Sequence, residues 1–475
     1  MIRLVNTVFI VSVLSVLIGC SVHEPLSLEP GPVPEAYLEE KKETVVRQIG
    51  GRWWEQFEDK ILNSLMDEAL VNNLDLVQAY ARLDQLEAVY RTVDSQRKPF
   101  LNLGGSASRD KQFSAIGSAT GNTYRLSVNA GYEVDLWQKL KNQSKAAWLD
   151  TLSSRENIKT LYLSLSARLA DLYFIAVEQR AQLRLLDAII ASYKDTVERI
   201  EFRYQLGQAG ALEVYQARLE LAVARQRRPI FEGVLARTEH AIAFLLGRLP
   251  EDSIAGNLTT LPDVGTIFSA GLPADLLQRR PDIEAAFMQV KAQDARLAAA
   301  IADRFPALSL TGAYGVSWLD YGAITSGTFW GLLAGAGQPI FDGGRRKAAE
   351  DRNRAALREV VANYRQTVLK AFQEVEDGLS DNRTREERFN LLKEQESVSN
   401  DTVRVARDGY YYGINDYLPV LIAERQYFDV QILVISAHRQ LVSDRVSLVR
   451  ALGGDWMEPY ISQNELSEIA VDLNP

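Results

Sequence analysis

Tyr124-Arg125-Leu126-Ser127-Val128-Asn129-Ala130-Gly131-Tyr132-Glu133-Val134 is the stretch that decides the fold. Tyr124, Leu126, Val128, Ala130, Tyr132 and Val134 fall on one side of a two-residue period, and Arg125, Ser127, Asn129, Gly131 and Glu133 on the other. A strand with one apolar and one charged face suits a membrane barrel, with lipid outside, water inside and about 9 to 11 residues per crossing. A soluble hairpin packed on helices alternates in the same way. Leu308, Leu310, Gly312, Tyr314 and Val316 alternate with Ser309, Thr311, Ala313 and Gly315, while residues 101–109 and 328–340 read as partner strands with weaker alternation and much glycine. Trp137, Trp318, Tyr321 and Trp330 lie near strand ends, where an aromatic belt would place them. Four strands in two matched hairpins, each joining long helices, favour the membrane. Four strands cannot close a barrel, since the smallest have about eight and lipid tolerates no open edge. Three chains would supply twelve, so the sequence predicts an obligate trimer sharing one barrel.

Around the hairpins the chain repeats itself. Leu70, Asp75, Leu76 and Ala79 recur as Leu277, Asp282, Ile283 and Ala286. Pro99, Leu101, Leu103 and Gly105 recur as Pro306, Leu308, Leu310 and Gly312, and Tyr204, Gly207, Leu212, Val214 and Ala217 as Tyr410, Gly413, Leu418, Val420 and Ala423. A shared proline, a shared glycine turn and a fixed distance between them indicate tandem duplication rather than two helices in the same phase. No proline interrupts residues 100–228 or 340–418, and each stretch carries a continuous helical pattern, 137–206 and 343–412. At 1.5 Å per residue each helix would reach roughly 105 Å. Leu161, Leu165, Leu169, Leu172, Ile175 and Ala176 step by three or four, as a packed helix requires; a structural coiled coil shows the same rows. Gly207-Gln208-Ala209-Gly210 and Gly413 then close the helices. Fresh helical patterns follow at 211–246 and 417–452, with Pro419 tolerated in a first turn. These features predict two antiparallel helical hairpins.

The chain has 475 residues with 53 basic and 62 acidic side chains, a formal charge of −9 that disfavours nucleic acid as a partner. One cysteine, Cys20, rules out a disulfide within the chain. Residues 1–19 read as a secretory leader, with Arg3 ahead of an apolar run at 8–18 too short to span a bilayer. Leu17-Ile18-Gly19-Cys20 resembles the bacterial lipobox, which implies a covalent lipid on Cys20; a plain signal peptide with an incidental cysteine is the alternative. Ser21 follows, where an aspartate would retain such lipoproteins at the inner membrane, so the anchor is expected in the outer membrane. No chemistry is legible. His23, His240 and His438 stand singly, without metal-ligand spacing. Gly343-Gly344-Arg345-Arg346-Lys347 lacks the spacing and terminal Ser/Thr of a phosphate loop. Glu374, Glu376 and Asp377 lie in a helical pattern and read as solvated or interhelical ion pairs. The expectation is a protein that is no enzyme, with no metal and no cofactor beyond the lipid.

Five further stretches carry a resemblance. Trp53-Trp54-Glu55-Gln56-Phe57, Leu277-Gln278-Arg279-Arg280-Pro281-Asp282-Ile283, Pro339-Ile340-Phe341-Asp342-Gly343-Gly344-Arg345, Phe372-Gln373-Glu374-Val375-Glu376-Asp377 and Ala451-Leu452-Gly453-Gly454-Asp455-Trp456 are similar to motifs of the outer-membrane efflux proteins, the TolC-like family, in its lipoprotein branch. The resemblance implies a mainly α protein with a membrane β-barrel, two tandem repeats of long helical hairpins, and a homotrimer forming a 12-stranded barrel and an α-helical periplasmic tunnel. It implies docking to a periplasmic adaptor and an inner-membrane efflux pump, and export of small toxic compounds or drugs across the outer membrane. Residues 20–60 become the lipidated segment and part of an equatorial belt. Residues 61–246 are repeat 1, with a hairpin near 100–136 and a tip near 207–210; residues 273–452 are repeat 2, with a hairpin near 307–341 and a tip near 413–416. Residues 247–272 link the repeats, and 453–475 form the C-terminal equatorial segment and tail. By the same resemblance Tyr410, Asn415 and Glu213 sit at the periplasmic gate, and Gly207, Gly210, Leu212, Gly413 and Leu418 at the adaptor-docking tip. Acidic ring positions of some members fall on the uncharged Pro419 and Ile422. A polypeptide-secretion channel and a lipid-anchored coiled-coil scaffold without a pore are the competing readings.

Overall fold

The computed structural model describes residues 22–27, 34, 37–38, 51–114, 117–251, 254–263, 273–320 and 324–461. The leader, Cys20, Tyr321 and the last part of the C-terminal tail lie outside the described residues. After a short 3-10 turn at Trp53–Phe57 come α1 (Lys60–Asn72), α2 (Leu74–Ser95), β1 (Phe100–Ser114), β2 (Gly117–Val134), α3 (Lys139–Gln205), α4 (Ala211–Leu245), α5 (Pro273–Arg279), α6 (Pro281–Ala302), β3 (Ala307–Asp320), β4 (Ile324–Gly337), α7 (Arg345–Tyr411) and α8 (Tyr417–Leu452).

Side-chain caps fix where helices begin. Asp59 accepts from the Ile61 and Leu62 amides at 2.9 and 3.2 Å, and Asn73 from those of Asp75 and Leu76 at 3.0 and 3.2 Å. Asp135 accepts from the Leu140 and Lys141 amides at 3.0 and 2.7 Å. Asp342 accepts from the Gly344 and Arg346 amides at 3.0 and 3.2 Å. These caps, with Gly343 and Gly344 at φ +65° and +81°, start α3 and α7 two residues later than the helical pattern alone predicts. Each is 67 residues long, about 100 Å at the standard rise.

The chain divides into two compact units: residues 1–31, 81–156 and 284–366, and residues 32–80, 157–283 and 367–475. In the first, the four strands form one antiparallel sheet in the order β1-β2-β3-β4. The register sets Leu103 opposite Val128, Val128 opposite Tyr314 and Tyr314 opposite Trp330. One face is therefore continuously apolar across all four strands. The other carries Arg125, Ser127, Asn129, Ser309 and Thr311. Phe329 and Leu333 break the alternation of β4, and for Phe329 glycine explains how. A side chain at Gly315 would collide with Leu126 O and Phe329 Cζ, so Phe329 packs over the bare backbone with the Arg125 guanidinium 5.1 Å from its ring centre. Phe100 covers Gly131 in the same way. The strands run to 15, 18, 14 and 14 residues, longer than a bilayer needs, because the ladder continues into polar sequence at 106–114 and 117–123. Strand β4 stops at Gly337 rather than 340, since Pro339 has no amide to donate. Trp137 does not face outward: its indole N–H donates to Pro306 O at 2.9 Å and its ring lies 4.9 Å from Phe305. Trp318 and Trp330 stand on the apolar face, both exposed.

Beside the sheet, Glu350 is 4% exposed and binds Arg304 at 2.6 Å, Arg354 at 2.9 Å and Lys347 at 3.4 Å. The Arg354 hydrogen bond foremost, with Arg304 and Lys347, outweighs burial and holds its carboxyl down at about 2. His23 Nε2 lies 2.7 Å from Asp294 Oδ1, and the Leu26 amide donates to Asp294 Oδ2 at 3.2 Å, tying the N-terminal strand of chain to α6.

In the second unit the quoted motifs converge on one node. Arg280, 8% exposed, donates to Asp282 at 2.6 and 3.0 Å, to Glu374 at 2.7 Å and to Ala451 O at 3.0 Å. Burial pulls the guanidinium down, yet Asp282 and Glu374 outweigh it and its pKa stands above its ordinary value. Gly454 N–H donates to Arg279 O at 3.2 Å, and Trp54 meets Trp456 edge-on at 4.7 Å. Glu374 is thus an interhelical ion-pair partner. Helix α3 contains one stretch apolar enough to cross a membrane, but 61% of it is buried, which marks a core helix.

Candidate functional site: the tip of the helical hairpins

Helices α3 and α4 form one hairpin and α7 and α8 the other, and both close by the same device. Gly207 N–H donates to Tyr204 O at 3.0 Å and Gln208 N–H to Arg203 O at 2.9 Å; Gly413 and Ile414 repeat this with Tyr410 O at 3.1 Å and Gly409 O at 2.8 Å. This paired bonding is the Schellman closure, which needs a left-handed residue, and Gly207 and Gly413 both sit at φ +70°. Nothing lies within 4 Å of a Cβ built on either glycine. The demand there is conformational, not spatial.

Behind the turns the two hairpins share one core, including Tyr193, Val197, Ile200, Val214, Ala217, Tyr417, Val420 and Ala423. Tyr417 and Tyr193 are buried. Burial first, then the carboxylates of Glu424 for Tyr417 and of Glu220 for Tyr193, push both phenols well above their ordinary range. Glu424, 2% exposed, pairs with Arg407 at 2.6 Å within the second hairpin. Arg227 and Asp429, 2.8 Å apart, link the two hairpins.

At the tip itself Tyr410 Oη donates to Glu213 Oε2 at 3.1 Å. The Arg203 guanidinium lies 4.7 Å from the Tyr410 ring centre, and the ring packs 5.6 Å from that of Tyr417. Burial, then Glu213, raise the Tyr410 phenol above its ordinary value, so the hydroxyl keeps its proton and donates. Glu213 is held in turn: its Oε1 accepts from the Gly210 amide at 3.4 Å, half of a capping box, glycine having no side chain to supply the other half. The second hairpin thus supplies the phenol, and the first supplies the carboxylate and the cation.

Of the residues singled out from sequence, Tyr410 and Glu213 meet. Asn415 does not join them: its amide N–H donates to Gly409 O at 3.2 Å, and its Nδ2 lies 2.5 Å from where a Cβ on Gly409 would stand. It finishes the end of α7. Leu212 is 70% exposed, and Leu418 is exposed beside it with Leu206, Tyr411, Tyr412 and Ile414. Sequence reading missed Arg203, Gly409 and the pairing of the buried Glu424 with Arg407. The repeat held the signal: Arg203 aligns with Gly409, Ala209 with Asn415 and Glu213 with Pro419, three of the positions at which the two copies part. Among the described residues no group of three or more metal-ligating side chains converges.

The model of the outer membrane efflux protein family matches residues 65–248 and 272–454. The toluene efflux pump outer membrane protein TtgF of Pseudomonas putida is 30% identical over 470 residues, 94% of this chain and 97% of its own. The cation efflux system protein CusC of Escherichia coli is 30% identical over 451 residues, 93% of this chain and 97% of its own. Among solved structures, the outer-membrane channel OprN superposes with a TM-score of 0.85 at 27% identity, covering 93% of this chain and 99% of that one.

Proposed function

This chain belongs to the outer membrane efflux protein family and is an outer-membrane efflux channel with a periplasmic tunnel, and we propose on that footing that three copies close one duct whose periplasmic end opens and shuts at the hairpin tips. The observation that carries the reading is the sheet. Among the described residues β1 and β4 each pair on one side only, while one face is apolar across all four strands. A bare edge of amides and carbonyls is not stable in lipid, and three such sheets edge to edge give twelve strands and no edge. The polar face then lines the bore.

The tip is the proposed gate. The bond from Tyr410 to Glu213 draws the end of α7 toward the start of α4, with Arg203 beneath the ring; breaking it frees one hairpin from the other. Exposed Leu212, Leu418, Tyr412 and Ile414 around Gly207, Gly210 and Gly413 form an apolar rim in a region otherwise rich in charge, which supports end-on docking of a periplasmic adaptor coupled to an inner-membrane pump. Cys20, outside the described residues, is the proposed lipid anchor. The cargo is proposed to be small toxic compounds; the relatives named for toluene and for cations favour that over polypeptide secretion. We assign no catalytic step. Native mass spectrometry of the detergent-solubilised protein with conductance in planar bilayers tests the reading: a trimer that conducts is expected, and a non-conducting monomer refutes it.

A further inference from the structure

Halfway along the hairpins of the second unit, the linker segment 259–261 passes over α3, α7 and α8 and leaves a cavity of about 430 Å³, within the range of small-molecule sites. Leu185, Leu261, Phe389, Val434 and Ile435 give it an apolar wall, and Arg184 and His438 its polar edge. The wall is fixed. His438 stacks on Phe389 with ring centres 4.9 Å apart, and Arg184 Nη1 donates to Thr259 Oγ1 at 3.2 Å, holding the linker down. Among the described residues Arg184 is the one charged side chain in its lining besides His438, and further out Arg445 is offset by Glu386 and Asp263. Arg184 is at the edge, and Lys393 Nζ lies 5.4 Å from the centre of the Phe389 ring. Asp263 is the carboxylate acting on His438, alongside the cations Lys393 and Arg445. Burial lowers the His438 imidazole, opposed by its hydrogen bond to the Pro262 backbone.

We propose that this cavity binds a compact anionic amphiphile, a carboxylate or sulfonate on an apolar body. The body fills the slot over α8 between Leu185 and Val434, and the head group meets Arg184 with Lys393 behind it. An apolar cavity with cations at one edge discriminates in this sense: the body supplies affinity by area buried, and the head group supplies orientation by a charge-assisted bond. The proposal concerns the flank of the helices beneath the linker and does not rest on how the tip opens.

The test uses the full-length protein in lipid nanodiscs with a thiol placed in the wall, Val434→Cys, and decanoate as probe; the parent protein gives the Cys20 background, and Leu391→Cys, on exposed α7 surface, serves as control. Decanoate is expected to slow alkylation of the wall thiol roughly tenfold while leaving the control unchanged, with neutral decanol much weaker. Arg184→Gln should require roughly tenfold more decanoate, and Ala188→Trp, which fills the slot, should abolish protection. The proposal is overturned if decanoate gives no protection, if decanol protects as well as decanoate, or if the wall thiol is unreactive from the start because the chain's own residues occupy the slot. Trimer recovery of each variant separates these results from misfolding.

Discussion

Tyr410→Phe removes one oxygen from the tip and little else. The ring keeps its place over Arg203, 4.7 Å away, and against Tyr417, 5.6 Å away, so the shared core stays packed. What goes is the bond to Glu213 Oε2 at 3.1 Å. A hydrogen bond to a carboxylate contributes about 1.5 to 3 kcal/mol when well buried, and at this half-exposed, slightly long contact about 1 kcal/mol is the fitting figure. In a trimer the loss is counted three times, about 3 kcal/mol in total, and because the bond is made only while the hairpins are together the whole of it falls on the closed state. At 1.4 kcal/mol per decade the ratio of open to closed tips should rise roughly 100-fold. Single-channel recording in planar bilayers reads this as open probability; in cells it appears as entry of a large antibiotic that the outer membrane otherwise excludes. Glu213→Gln keeps an acceptor for the phenol and should give a smaller rise. If Tyr410→Phe leaves both open probability and antibiotic entry at the parent level, the bond does not hold the gate and the reasoning fails.

Two glycines with nearly the same torsion separate conformation from space. Gly413→Ala at φ +70° should cost about 1 kcal/mol of local stability, because the site is open; Gly453→Ala at φ +74° would also drive a Cβ to 2.5 Å from Arg279 O and should sharply reduce trimer yield, and equal losses by thermal melting would contradict this. A bulky residue at Gly413 should abolish export while trimers still assemble; unaltered drug susceptibility would count against docking at the tip. Glu350→Gln should lose roughly 2 to 3 kcal/mol at pH 7: the carboxyl is held at about 2 against an ordinary 4.5, so its stabilisation is complete above pH 4.5 and disappears as pH falls through 2. A melting-temperature gap from the parent that does not narrow on acidification would refute the assignment. Asp444 is raised to about 6 from an ordinary 3.8, by burial first and Asp381 beside it, with Arg385 opposing. The folded state then holds the proton that the unfolded state has released, so stability falls as pH rises from about 4 to 6; Asp444→Asn should flatten that slope, and an unchanged slope by circular dichroism melts would exclude Asp444 as its source.

Elements whose period is set by local sequence were legible. The strand at Tyr124 to Val134 announces itself because its two faces meet different solvents, and the long helices because proline is absent and glycine closes them. Strand ends were less legible: past the apolar band the ladder persists through Ser, Thr and Asn, which carry no period. Trp137 was misplaced in an outward belt because its partner, Pro306 O, is a backbone atom 169 residues away in sequence, invisible to any pattern in the chain. Asn415 lies two residues after the turn glycine, where the resemblance places the gate, and its side chain sits against the bare Gly409, a neighbour that spacing alone does not reveal. The Arg280 node shows the opposite case. Its motifs stood out in the sequence, but only the fold shows that Arg280, Glu374 and the Ala451 carbonyl are one buried cluster.

The departures from the repeat explain more than its similarities. A duplicated chain used three times would give six equivalent hairpins, and if both copies carried the same tip residues each hairpin would grip its neighbours alike. They do not: Arg203 and Glu213 belong to the first hairpin, Tyr410 acts from the second, and the aligned Gly409 and Pro419 have no side-chain cation or carboxylate to offer. The bond at the tip therefore forms once per chain and joins the two hairpins of the same chain. Behind it, the shared core and the Arg227–Asp429 pair at 2.8 Å continue the attachment along the helices. On the proposed gating, the end is held by one bond and the region behind it by a packed core, so a partner engaging the exposed Leu212, Ile414 and Leu418 would act where the least free energy is needed to part the hairpins. Apolar packing of Tyr193, Val197 and Val420 sets how far that parting can run before it costs more than docking can return.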